Sequence, residues 1–469
     1  MKNKTAYIWG LIGRFAPQVI YLATTMILAR FLTPDDFGQI GVLSVIFTVA
    51  YVLMDSGLGG SLIKEKDISD IDCSSIAFFN LCISVSIYAL LFLLSDTLEI
   101  YFEVDGLSNV IRVLGLVFPI TAFGIVPRAL LNRNLQFKKV SENLILAVIL
   151  AAAVSIIIAI FGGGVYAIVS YQLANNLITV ILNSIALKYH FSIKFSLSSL
   201  KRLLPFGITT SIITVVDTVY ENILTTLTGK YMNIQEAGYL YQAKRLEESL
   251  TQSIATTIGS VTFPIMTRLK NSVNEFHEEA MATFKTIISL LCPVLLIVAL
   301  FSDEIVHILY GEQWMAAGFY LKMLTFGGIF IIMDSLFRNY IKALCEVKKL
   351  LVATIIKRSL GLSLIFGALL VNSRYMIYAY ILSAFIGFMI NYSLYRNITK
   401  SSFIDMVKML MQIITPCVVL YLLVTLSSVI GNEWIKVLTA ILMLLIIYLF
   451  YLPKVGINIV SPIIKFIHK

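Results

Sequence analysis

The feature that most limits what this chain can become is its succession of apolar runs, each about 20 residues long and set off by short charged or Gly/Pro-containing breaks. Wound as a helix at about 1.5 Å per residue, such a run crosses about 30 Å of hydrocarbon. No water is available there, so each run must satisfy its own N–H and C=O groups, which a helix does internally. Composition leaves little else open. Hydrophobic residues make up 58% of the 469 and charged residues 13%, about half the roughly 25% of an ordinary soluble domain. So few charges cannot clothe a water-soluble shell, and they exclude a disordered or nucleic-acid-binding chain. The expectation is an all-α polytopic membrane protein.

Fourteen segments read as transmembrane helices: 8–31, 37–63, 73–95, 107–130, 141–161, 164–187, 205–228, 238–268, 283–301, 318–343, 350–371, 374–396, 407–430 and 435–452. The first is too long for a signal peptide and lacks a small-residue cleavage site, so it is expected to remain as the first span. Nearly all loop Lys and Arg fall on the side shared by the two termini and the even-numbered loops, including Arg133, Lys138, Lys139, Lys194, Lys201, Arg202, Lys348 and Lys349. The opposite side holds Arg30, Lys230, Arg374 and Lys436, and its loops 96–106 and 302–317 are acidic. The positive-inside rule then places both termini in the cytoplasm. The tail after Pro453, with Lys465 and Lys469, reads as an interfacial anchor against membrane lipids.

Shifting the chain by 200 lays Arg30-Phe31 over Lys230-Tyr231 and Phe37-Gly38 over Ala237-Gly238. Shifting it by 210 lays Arg112 over Lys322, Arg128 over Arg338, and Lys138-Lys139 over Lys348-Lys349. Helices 1–6 (1–200) and 7–12 (201–400) therefore read as two six-helix lobes related by an internal parallel repeat. Residues 401–469 add two C-terminal helices and the tail. Parallel repeats of this kind build transporters whose lobes rock about a central site.

Ionisable groups cost about 2.5–3.5 kcal/mol each at the centre of a spanning helix, and here they concentrate in the first two helices of each repeat. They fall on stripes three or four residues apart: Arg14, Gln18, Tyr21, Thr25; Ser44, Thr48, Tyr51, Asp55; Thr210, Thr214, Asp217, Glu221, Thr225, Thr228; and Tyr241, Lys244/Arg245, Glu248, Gln252. Each set occupies one helical face, which implies a shared hydrophilic interior. By helical rise, Arg14 and Asp55 lie roughly 10 Å from the inner boundary, Asp217 about 18 Å, and Glu221 with Lys244/Arg245 roughly 20–25 Å. Arg14–Asp55 and Glu221–Lys244 are candidate ion pairs, either static, exchanging as the cavity opens, or engaged by an anionic substrate. Asp217 has no opposite charge at its depth and is the foremost functional candidate. Lys357 and Arg358 read as cavity residues or interfacial anchors.

Cys73, Cys82, Cys292, Cys345 and Cys417 lack metal-binding or redox spacing and read as small buried hydrophobes. His190, His277, His307 and His468 are scattered, and no zinc-protease, phosphate-loop or nucleophile-elbow motif occurs.

The segment Ala29-Arg-Phe-Leu-Thr-Pro-Asp-Asp-Phe-Gly38, followed by Asp55-Ser-Gly-Leu-Gly-Gly-Ser-Leu-Ile63, resembles Wzx-type polysaccharide flippases of the multidrug/oligosaccharidyl-lipid/polysaccharide exporter superfamily, nearest to the colanic and teichuronic acid exporter branch. Ser75-Ile-Ala-Phe-Phe-Asn80, Ala237-Gly-Tyr-Leu-Tyr241 and Phe263-Pro-Ile-Met-Thr-Arg268 add to the likeness. One departure is that Glu221, with Thr225 or Thr226 after it, stands where the branch often has an Asp and then a Gly. The resemblance implies two lobes about a central cavity in the bacterial cytoplasmic membrane. It implies movement of undecaprenyl-pyrophosphate-linked glycans to the outer leaflet, for exopolysaccharide or lipopolysaccharide synthesis, alongside polysaccharide polymerase and assembly proteins. Arg14, Lys244 and Arg245, with Gln18 and Asp55 in the same cavity, would take the pyrophosphate through charge-assisted hydrogen bonds. Asp217 or Glu221 would bind a coupling H+ or Na+, and no other cofactor is expected. The nearest alternative is a cation-coupled small-molecule exporter of the same superfamily. A membrane glycosyltransferase or polymerase fits poorly, because the longest loops, about 15 residues, are too short to assemble a catalytic domain.

Overall fold

The computed structural model describes residues 2–55, 57–65, 67–187, 195–429, 433–451 and 453. Among these the chain forms seventeen α-helices and no strand. They are α1 (Lys2–Leu28), α2 (Pro34–Asp55), α3 (Leu58–Lys64), α4 (Asp70–Phe102), α5 (Leu107–Leu114), α6 (Val117–Arg133), α7 (Phe137–Ile160), α8 (Val165–Leu187), α9 (Leu197–Tyr231), α10 (Ile234–Leu269), α11 (Val273–Leu300), α12 (Ser302–Tyr310), α13 (Ala316–Ala343), α14 (Val347–Val371), α15 (Met376–Thr399), α16 (Phe403–Val429) and α17 (Glu433–Ile446). Every expected span falls on a helix or a pair of short helices, and the architecture is that of an all-α polytopic membrane protein.

Ten helical segments among the described residues are long and apolar enough to cross a membrane. The remaining expected spans are α1, α17, α9 and α10. The apolar stretches of α1 and α17 are shorter, Ile12–Leu28 and Val437–Leu449. Helices α9 and α10 have 35 and 36 residues, about 50 Å of helix, but polar residues recur along both. The tail from residue 454, with Lys465 and Lys469, lies outside the described residues, as do His190 and Lys194.

Two expected spans are broken. Gly57, at φ 63°, takes a left-handed conformation that suits glycine, so α2 ends at Asp55 and α3 starts afresh. The 107–130 span is likewise interrupted between α5 and α6, at Gly115, where a Cβ would sit 2.8 Å from the Tyr88 ring. Arg133 of α6 donates to the carbonyls of Leu62 and Glu65 and so caps the end of α3.

Helix starts follow local chemistry. Before α2, Thr33 N donates to Asp36 Oδ2 at 2.8 Å and Asp36 N donates to Thr33 Oγ1 at 3.4 Å. That reciprocal box, with Pro34 at the first helical position, satisfies donors the helix leaves open. Ser69 and Asp72 repeat the box at α4, at 2.9 and 3.2 Å. Arg202 of α9 then binds Asp72 Oδ2 at 2.8 Å.

Packing divides the chain into two compact units. Unit 1 is Met1–Gln242 with Leu309–Trp314, and unit 2 is Ala243–Ile308 with Met315–Lys469. This partition by packing and the repeat boundary at 200/201 divide the chain differently, since α9 packs with α2, α3 and α4.

In unit 1, the glycines matched by the repeat meet. A Cβ on Gly38 would lie 2.0 Å from the Ile234 carbonyl oxygen, and one on Gly238 would lie 1.9 Å from that of Pro34. The first turns of α2 and α10 are therefore in backbone contact, as small residues allow between membrane helices. The segment Leu309–Trp314 is anchored by Trp314 Nε1 and Gln313 Nε2, which donate to the Ala29 carbonyl at 2.9 and 2.8 Å. The Trp314 ring is fully buried and stands edge-on to Phe37, 5.1 Å between centroids.

Unit 2 is built round an aromatic core in which Phe337 of α13 lies 5.1 Å from Phe284, 5.3 Å from Tyr392 and 5.1 Å from Tyr395. Cys73, Cys292 and Cys417 are buried as expected, whereas Cys82 and Cys345 are exposed, and all five are free thiols.

Candidate functional site

The glycines that end α2 and open α3 leave space beside Asp55. A Cβ on Gly59 would lie 3.6 Å from Asp55 Oδ1. The space belongs to a cavity of about 580 Å³ inside unit 1, within the roughly 300–1,000 Å³ range of small-molecule sites. Its walls are Tyr51 and Asp55 of α2, Gly57, and Gly59 and Gly60 of α3. Helix α6 adds Thr121, Arg128 and Asn132, α8 adds Asn176, Thr179 and Asn183, and α9 adds Ser211 and Thr214.

One carboxylate and one guanidinium, Asp55 and Arg128, are the charged side chains of that lining. The rest of the polar wall is neutral, and two of its amides are held by hydrogen bonds. Asn176 Oδ1 accepts from Tyr51 OH at 3.3 Å and from Thr121 Oγ1 at 3.2 Å, while its Nδ2 donates to the Gln172 carbonyl at 2.8 Å. Asn183 Oδ1 accepts from Asn143 Nδ2 at 3.0 Å. A guanidinium offers a planar fork of donors to an anion. Amides and hydroxyls on the facing helices offer both donors and acceptors, which suits a polyhydroxylated group.

The expected site residues are distributed as follows. Asp55 lines the cavity. Arg14 is exposed on α1 and Gln18 half-buried there. The expected Arg14–Asp55 pair is not formed. Helix α1 packs chiefly on α7, with Gly13 against Ser141, and the cavity places Arg128 with Asp55 instead. Asp217 and Glu221 are half-buried on α9. They follow Thr214, a lining residue, at i+3 and i+7, so they continue the same face. In unit 2, Lys244 is buried with its Nζ 3.6 Å from Glu248 Oε1, and the exposed Arg245 is 3.9 Å from Glu248 Oε2.

Arg128, Asn132, Asn176 and Asn183 were not singled out by the sequence reading. The signal for Arg128 was its register with Arg338 in the repeat. Unit 2 holds a second polar centre at that register. Lys357 Nζ of α14 donates to Asp334 Oδ2 of α13 at 2.7 Å, and Asn391 Nδ2 of α15 donates to Asp334 Oδ1 at 2.6 Å. Arg338 lies 3.5 Å from the same carboxylate. Lys357, 5% exposed, is thus a buried ion-pair partner and not an interfacial anchor. Among the described residues no group of three or more His, Cys, Asp or Glu is placed to hold a metal ion.

Outside the spans, Lys230 Nζ binds Glu103 Oε1 at 2.8 Å and lies 4.9 Å from the Tyr101 ring centroid. The hydrogen bond and charge of Lys230 hold the Glu103 carboxyl below the usual glutamate range.

Known proteins are similar to this chain in sequence and in fold. The chain is 23% identical over 308 residues to the lipopolysaccharide biosynthesis protein WzxC of Escherichia coli (strain K12), covering 65% of this chain and 63% of that protein. It is 23% identical over 326 residues to the teichuronic acid biosynthesis protein TuaB of Bacillus subtilis (strain 168), covering 68% and 67%. The chain thus spans about two thirds of the length of these relatives. Its fold is similar to that of the lipid II flippase MurJ in an inward closed conformation. The TM-score is 0.73 at 17% identity, over 96% of this chain and 99% of that one. A profile of the family described as polysaccharide biosynthesis protein matches residues 27–318, more than half of the chain and including both Wzx-like segments. The chain belongs to that polysaccharide biosynthesis family, in keeping with its resemblance to the Wzx-type flippases.

Proposed function

We propose that this chain moves lipid-linked oligosaccharide units across the bacterial cytoplasmic membrane by alternating access, as a step in surface polysaccharide synthesis. The observation that carries the reading is the unit 1 cavity, in which Arg128 stands with Asp55 among amides and hydroxyls. A pyrophosphate-linked glycan brings an anion that cannot cross hydrocarbon and sugar hydroxyls that must exchange hydrogen bonds with something other than water. The names of the relatives, which span lipopolysaccharide and teichuronic acid biosynthesis, support the same substrate class. The reading has both termini in the cytoplasm, no bond-making step by the protein, and delivery to a polymerase on the far side. An H+ or Na+ gradient drives it, with Asp217 and Glu221 as cavity-side carboxylates of the transport cycle.

The test is transfer of a labelled undecaprenyl-pyrophosphate glycan between leaflets of proteoliposomes, for the wild type and Arg128→Ala. Transfer by the wild type that falls at least tenfold in Arg128→Ala is expected. Efflux of a small organic cation without glycan transfer would replace the reading with that of a cation-coupled exporter.

A further inference from the structure

The Glu247 side chain of α10 plays no part in the cavity or in the Asp334 centre, yet its setting is unusual for a carboxyl group. The residue is 5% exposed, and its Oε1 is buried without a hydrogen-bond partner. It stands against Gly328 of α13, where a Cβ would lie 2.6 Å from Oε1. The glycine makes the notch that the carboxyl fills. Thr251, one turn on, is also buried; its hydroxyl donates to the Glu247 main-chain carbonyl at 3.0 Å and acts on the side-chain carboxyl as well. The charged groups acting on Glu247 are Glu248 and Lys244 of its own helix. Lys244 and Arg245 also lie 3.6 and 3.9 Å from Glu248. Helix α13 faces the carboxyl with Gly328.

Asp334, in the same unit, shows what a buried carboxylate is given when it is kept ionised: an ammonium at 2.7 Å and an amide at 2.6 Å. Glu247 Oε1 is given neither. A dry carboxylate with an open oxygen is costly unless it is neutralised, and no metal-ligand cluster surrounds it among the described residues.

We propose that Glu247 is a proton-binding site of unit 2, loaded while it is packed in the Gly328 notch and emptied when that notch opens to water, so that the proton is the coupling ion. The step is acid–base only: the carboxyl O–H bond formed in the notch is the bond broken on opening, with water taking the proton. The coupling role rests on the transport reading above, whereas proton binding does not.

Two measurements separate them. Infrared difference spectra of the protein in lipid should show the C=O stretch of a protonated carboxylic acid in the wild type and in Glu248→Gln. The band should be lost in Glu247→Gln and be present but shifted in Glu247→Asp, which keeps a carboxyl if the glutamine variant folds poorly. A band unchanged in Glu247→Gln, or lost in Glu248→Gln instead, would overturn the site. In proteoliposomes, an imposed pH gradient should accelerate glycan transfer by the wild type, and the ratio of rates with and without the gradient should fall to about one in Glu247→Gln. A ratio retained in Glu247→Gln overturns the coupling role. A wild type that transfers no glycan overturns the flippase reading, and the infrared band then decides the proton site alone.

Discussion

The Asp334 centre of unit 2 makes the sharpest energetic prediction. Its carboxylate is buried with Lys357 at 2.7 Å, Asn391 at 2.6 Å and Arg338 at 3.5 Å, and Arg358 acts on it as well. At 2.7 Å and an effective dielectric near 20, the Lys357 attraction is about 6 kcal/mol. Desolvation of both groups cancels most of that, but removing one partner leaves the other's desolvation uncompensated, typically about 3–5 kcal/mol. The two single changes should not be equal. Lys357→Met leaves Asp334 with Arg338 and Asn391, whereas Asp334→Asn leaves Lys357 beside two arginines with no anion. Asp334→Asn should therefore be the more damaging, near the upper end of that range. Adding Lys357→Met to it should recover about 2 kcal/mol or more, well beyond the roughly 0.5 kcal/mol scatter of independent sites. Unfolding of the purified variants in mixed detergent and SDS micelles measures the cycle. Additive singles, or Asp334→Asn milder than Lys357→Met, would refute the reasoning.

Three further outcomes follow from other parts of the molecule. Gly238→Ala would put a methyl 1.9 Å from the Pro34 carbonyl oxygen, so the first turns of α2 and α10 would have to part by about 1 Å, at a cost of about 1–3 kcal/mol; an unchanged melting temperature would disprove that contact. Asp217→Asn should abolish glycan transfer at near-normal abundance, and normal transfer would remove Asp217 from the mechanism. Because Lys230 holds the Glu103 carboxyl below its ordinary range, their pairing is present at neutral pH and is lost as pH falls through that lowered value. Lys230→Gln should move the Glu103 titration back up, followed by NMR of labelled glutamate, and an unmoved titration would contradict the assignment.

Gly38 and Gly238, aligned by the 200-residue shift, lie where the first turns of α2 and α10 touch. Arg128 and Arg338, aligned by the 210-residue shift, both occupy polar centres, one in the unit 1 cavity and one beside Asp334. The partners at the two centres differ, however: Asp55 and neutral amides at one, Asp334 and Lys357 at the other.

By itself the sequence determined the helices, their approximate limits and the face of each that carries polar residues, because apolar run length and three-to-four-residue spacing act along one chain segment. The starts of α2 and α4 are set locally too, where Thr33-Asp36 and Ser69-Asp72 lie within reach of their own backbone, three residues ahead of the expected limits at 37 and 73. Partnership across helices was decided only by tertiary structure. Spacing put Arg14 and Asp55 at one depth, but depth leaves helix rotation and neighbour unspecified, and α1 turned out to pack on α7 while Arg128 of α6 joined Asp55 in the cavity. The pairing of Lys357 with Asp334, and the bare carboxyl of Glu247 against Gly328, have the same origin: a charge inside a membrane helix is stabilised or stranded by the residue that the next helix presents, and adjacency along the chain does not encode which residue that is.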